Sequence, residues 1–162
     1  MRKQLLTTAA LILAALPASA ETWGVSDAPV PSGDGKWMCM LWHGKTAPLM
    51  NITIMTDRNF ISVAAPQFAA VPDRTPTTFT YPSGRSGAGV IRKAEPQSSA
   101  VFVLFPDEAL DPILDQFRTG GTFTLTAGDA SASFPVPAPG LGSGIAPLKD
   151  CAARFPETPG TE

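Results

Sequence analysis

The sequence predicts a mainly β protein: an antiparallel sandwich or small barrel with one short internal helix and a C-terminal helix. Three observations carry that expectation. Several short stretches alternate apolar and polar residues, as in Met50-Asn51-Ile52-Thr53-Ile54 and Thr122-Phe123-Thr124-Leu125-Thr126, which is the period-2 signature of half-buried strands. Turn residues separate these stretches at intervals of about 8–12 positions. The two cysteines, Cys39 and Cys151, stand near opposite ends of the chain, as expected of one staple across a single domain.

The N-terminus has the three parts of an export signal. Arg2 and Lys3 precede an apolar run from Leu5 to Leu16, and Pro17-Ala18-Ser19-Ala20 supplies the small residues of a cleavage site. The apolar run is 12 residues, short of the roughly 20 that a membrane span needs. The expected division is therefore a signal peptide at 1–20, one β-rich domain at 21–155 and a loose tail at 156–162, with no integral membrane segment after cleavage. Export places the chain in the periplasm or outside the cell. Cleavage removes two of 12 basic residues and none of 14 acidic ones, leaving a net charge of −4. A mildly acidic chain with no basic run argues against nucleic acid as a partner. In an oxidising compartment Cys39 and Cys151 are expected to be joined, which in the chain-entropy model stabilises the fold by roughly 4–5 kcal/mol.

In chain order, Thr22-Trp23-Gly24-Val25 reads as a short edge strand. Trp37-Met38-Cys39-Met40-Leu41-Trp42 is apolar throughout and reads as a buried strand. Met50–Thr56 and Phe60–Ala64 form a hairpin across the turn Asp57-Arg58-Asn59. Thr77–Tyr81 is a strand rich in Thr and aromatic residues, and Gly84 to Gly89 reads as a turn leading to a strand centred on Val90-Ile91. Ala100–Phe105 is a continuous apolar run and reads as a central strand buried on both faces. Asp111-Pro112 predicts a helix start, with Asp as cap and Pro at the first position, and Gly120-Gly121 its end. Thr122–Thr126 follows as an alternating strand. Pro135 and Pro137 confine the next strand, through Ala132, Phe134 and Val136, to an edge or to its end. Ile145, Leu148, Cys151 and Ala152 recur at helical spacing, so a final helix turns Cys151 inward.

No catalytic, cofactor or metal motif is complete. Gly44-Lys45-Thr46 resembles the end of a phosphate-binding loop, but Cys39 stands where its first glycine belongs. Asp107, Glu108, Asp111 and Asp115 read as capping and dipole partners of the internal helix. His43 is the one histidine; at a strand end before a glycine it reads as a half-exposed turn residue. Any hydrolase reading must use it as the base, and no nucleophile elbow supports that scheme. Trp37, Trp42 and His43 around the cysteine strand, with Arg85 on the glycine-rich turn, are the candidate binding residues, because aromatics near a disulfide serve either as core or as an open patch.

The order Trp23-Gly24-Val25, then Trp37-Met38-Cys39-Met40, with a closing Phe134-Pro135-Val136 and Gly142 to Cys151, resembles the invasion-associated locus B family of small exported alphaproteobacterial proteins. The similarity spans about residues 22–153. The family usually carries further cysteines in mid-domain, and this chain has none there. The resemblance implies a periplasmic or surface-associated β-rich protein with no catalytic residues to carry over. The expected function is a non-catalytic exported binding or envelope protein, its partner an envelope protein or a small apolar ligand. A small periplasmic hydrolase centred on His43 and a host-facing surface protein are the alternatives.

Overall fold

The computed structural model describes residues 23–156 apart from 34, 46 and 47; the expected signal peptide and residues 157–162 of the tail lie outside the described residues. The elements in chain order are β1 (Trp23–Val25), β2 (Val30–Pro31), β3 (Trp37–His43), β4 (Leu49–Met55), β5 (Asn59–Ala64), a 3-10 turn (Pro66–Phe68), β6 (Pro76–Thr80), β7 (Ser86–Val90), β8 (Ala100–Phe105), α1 (Asp107–Asp115), β9 (Gly121–Ala127), β10 (Ala130–Val136) and α2 (Gly142–Ala152). They form two antiparallel sheets. The first runs β1-β3-β4-β5-β8, with β2 also paired to β3; the second runs β10-β9-β6-β7.

The sheets pack as a sandwich, and the alternating strands supply its core. Leu41, Ile52, Ile61 and Val101 from the first sheet meet Phe79, Phe123, Leu125 and Phe134 from the second, all buried. α2 covers the inward side of β3 with Ile145, Leu148 and Cys151, and Cys151 is bonded to Cys39 with the Cα atoms 6.0 Å apart. β1 and β10 are edge strands, as Trp23-Gly24-Val25 predicts for the first and as one of the two alternatives left by Pro135 and Pro137 has it for the second. Among the described residues no helix is long and apolar enough to cross a membrane. The disulfide is compatible with a protein outside the cytoplasm.

Three expectations are corrected. First, Ala100–Phe105 is not a central strand: β8 is the last strand of its sheet. Only Val101 and Val103 are fully buried, whereas Leu104 is 45% exposed. A continuous apolar run says that both faces are greasy, not that both are covered. Second, α1 begins at Asp107, four residues before Asp111, and contains Pro112. Its first turn is held by a tertiary bond, Asn59 Nδ2 to Asp107 Oδ1 at 2.6 Å, which no local pattern announces. Asp107, Asp111 and Asp115 therefore do share a face at i, i+4 and i+8. Lys149 reaches Asp111 at 2.8 Å and Arg118 reaches Asp115 at 2.7 Å, so partners offset these charges. Third, most of the Gly84–Gly89 turn is strand β7. A Cβ on Gly87 would stand 2.1 Å from the Phe79 ring, and one on Gly89 would stand 2.9 Å from Val103. Gly87 and Gly89 are there for close approach to the core, whereas Gly84, at φ +83° and with its N–H bonded to the Tyr81 carbonyl, serves the turn before β7.

Candidate binding surfaces

The outward face of the first sheet carries large apolar side chains. Along β3, the inward side chains are Cys39, Leu41 and His43, all buried; the outward ones are Met38, Met40 and Trp42, all half-buried. The register carries this face across the sheet. Met38 lies opposite Met55, Met40 opposite Thr53, Thr53 opposite Phe60, and Phe60 opposite Leu104. Phe60 and Phe102 meet edge-on with centroids 5.5 Å apart. On the β1 side the indole of Trp42 lies against Gly24, where a Cβ would be 2.5 Å from it. An outward sheet face is ordinarily the polar one. Here a band of methionine and aromatic side chains on β3, β5 and β8 flanks the polar Asn51, Thr53 and Ser62.

Toward β8 the band deepens into a groove of about 410 Å³, lined by Met55, Phe60, Phe102 and Leu104, with Arg58, Arg92 and Lys93 at its rim. The rim is built. Lys93 Nζ donates to the carbonyls of Phe68, Ala69 and Val71 at 3.0, 3.0 and 2.9 Å, pinning the loop after β5. The Lys93 amide donates to Asp73 at 2.8 Å, and this bond, with Arg92 at 3.5 Å, holds the Asp73 carboxyl below the usual carboxylate range. Arg58 and Lys36 hold Asp57 at about 2 in the same way, Arg58 being the larger cause. Arg92 is half exposed beside the groove.

A second concavity, about 440 Å³, opens between the sheets where β7 and β8 diverge. Ile61, Phe79, Tyr81 and Val103 form its floor, and Ala109, Pro112 and Ile113 of α1 close one end. Ser83 and Gln116, 2.8 Å apart, tie the β6–β7 turn to that helix.

The four sequence candidates do not converge. Trp37 and Trp42 are five positions apart on β3 and face opposite sides. His43 is corrected from half-exposed to buried: it is the last inward residue of β3, 1% exposed, between Trp23 at 5.1 Å and Phe134 at 5.8 Å. Both its ring nitrogens are buried, so neither is presented to a substrate. Arg85 lines the inter-sheet cleft. Trp42 alone lies on the outward band. Phe60, Phe102, Leu104 and Met55 were missed, although Ala100–Phe105 carried the signal. Its even positions, Phe102 and Leu104, are as apolar as its odd ones. Among the described residues no three His, Cys, Asp or Glu side chains are grouped to share a metal ion. The chain matches no family model, no curated protein and no solved structure.

Proposed function

We propose that this is an exported, non-catalytic binding protein of the periplasm or cell exterior. It holds the apolar body of a small anionic amphiphile in the groove on its first sheet. One observation carries the reading: the apolar runs Trp37–Trp42 and Ala100–Phe105 each keep one face in the core and turn the other, equally apolar, to the outside. Burying a large apolar side chain stabilises by about 1.5–3 kcal/mol, so a band of them left open is available to a ligand. Arg92 and Arg58 at the rim favour an anionic head over a neutral one. The export signal and the resemblance to invasion-associated locus B proteins support an envelope setting and a role without chemistry. The hydrolase alternative would need the His43 imidazole at a cavity, and it is packed among aromatic rings instead.

Calorimetric titration with dodecanoate and dodecanol tests this. Wild type should bind dodecanoate saturably, Phe102→Ser should weaken it about tenfold or more, and Arg92→Gln should weaken dodecanoate but not dodecanol. Equal heats for wild type and Phe102→Ser, or none, would sink the proposal. A protein captured from envelope extract and lost with a folded Trp42→Ala variant would make the band a protein-docking face instead.

A further inference from the structure

The inter-sheet cleft has a property that its apolar floor does not explain: two strand edges face each other across it. β7 ends the second sheet and β8 ends the first. The ladder of β7 with β6 shows which of its backbone groups are used. Tyr81 N–H bonds Arg85 C=O and Ile91 N–H bonds Thr75 C=O, so in this antiparallel pair odd-numbered residues turn their backbone groups toward β6. Ser86, Ala88 and Val90 turn theirs away, toward β8. Just beyond, Arg92 and Phe102 exchange both backbone bonds, at 2.7 and 2.8 Å, so the chain after β7 does pair with β8. Extending that register would pair Val90 with Leu104 next. Among the described residues β7 and β8 are not hydrogen-bonded neighbours in either sheet. The sheets have parted by one pair, and the cleft begins there.

We propose that this cleft is a strand-addition site, which takes an extended peptide segment along the outward edge of β7. The edge offers a row of backbone donors and acceptors at Ser86, Ala88 and Val90, which an extended backbone satisfies and a lipid or compact solute does not. β7 spans five residues, about 16 Å at strand rise. Exposed edges are ordinarily guarded by lysine, proline or a bulge, and Ser-Gly-Ala-Gly-Val has none of these. Two large exposed apolar side chains, Val90 and Leu104, stand on the strands that wall the opening. The preferred segment alternates small polar and β-branched residues, placing one set over the Phe79 and Val103 floor and the other toward Arg85 and solvent. This site meets the groove on the outward face at Leu104, which lines both, and the amides of Ser86, Ala88 and Val90 report on it alone, so either can fail without the other.

Amide exchange followed by NMR on the oxidised domain tests it, with a Lys-flanked peptide of alternating Thr and Val as the probe. Binding should slow exchange at Ser86, Ala88, Val90 and Leu104 by about tenfold or more and leave the amides of β4 unchanged. Ala88→Pro removes one outward donor without touching the β6 ladder and should abolish that protection; should this variant not fold, the wild-type exchange pattern decides alone. Unchanged exchange at millimolar peptide would overturn the proposal. So would equal protection by a peptide with proline at alternate positions. Protection that grows with protein concentration in the absence of peptide would also overturn it, since the edge would then pair with a second copy.

Discussion

At the scale of single residues, burial sets the behaviour of Tyr81, the only tyrosine of the chain. Its ring lies among Phe79, Phe117 and Phe123, with centroids 5.2, 5.8 and 6.1 Å away, and burial pushes the phenol up to about 12. The folded state thus prefers the neutral phenol. Stability from this group is complete below the ordinary value of 10 and is lost as pH rises toward 12. Phenolate absorbance, which reports this one residue, should rise only near pH 12 or together with unfolding. A midpoint near 10 in a still-folded protein would show the ring to be solvated. His43 shows how a local reading goes astray. A histidine before glycine looks like a turn residue, yet two-residue alternation from Cys39 carries it inward, beside Phe134 of a strand 91 positions later.

At the scale of elements, β7 is the segment where local preference and structure disagree most. Glycine weakens a strand intrinsically, but at 87 and 89 any side chain would enter space held by Phe79 or Val103. Gly87→Val should therefore destabilise the protein by about 1–3 kcal/mol or more through overpacking, read as a lowered denaturation midpoint. Ala88→Val, whose side chain faces out of the sheet, should be close to neutral. Equal losses for both would mean that β-propensity, not contact with Phe79, governs the strand. Most of the other strands were legible because one face is covered and the other is wet. β3 and β8 were legible as strands but not as surfaces, since an apolar run is the same string whether its second face is buried or open.

At the scale of the molecule, the disulfide ties the last helix to the third strand across 112 residues of chain. It removes freedom from the unfolded chain more than it adds contacts to the folded one. Cys39→Ala with Cys151→Ala should cost about 4–5 kcal/mol in the chain-entropy model, measured by denaturant unfolding. The folded spectrum should persist, because Ile145 and Leu148 keep α2 docked. Loss of α2 helicity in the folded variant would assign the docking to the bond itself.

Alternation, turn residues and the two cysteines were enough, read in order along the chain, to point to a β-rich domain, the edge strand β1, the final helix and the pairing of Cys39 with Cys151. Each of these depends on local periodicity or on elimination between two candidates. The order of strands, the outward band from Trp42 to Phe102 and the parting of β7 from β8 depend on which segments meet in space. They follow from packing between distant residues: Asn59 on Asp107, Phe79 on Gly87, Arg92 on Phe102. A one-dimensional pattern holds no record of those distances, because a side chain's exposure is settled by whatever the rest of the chain leaves in front of it.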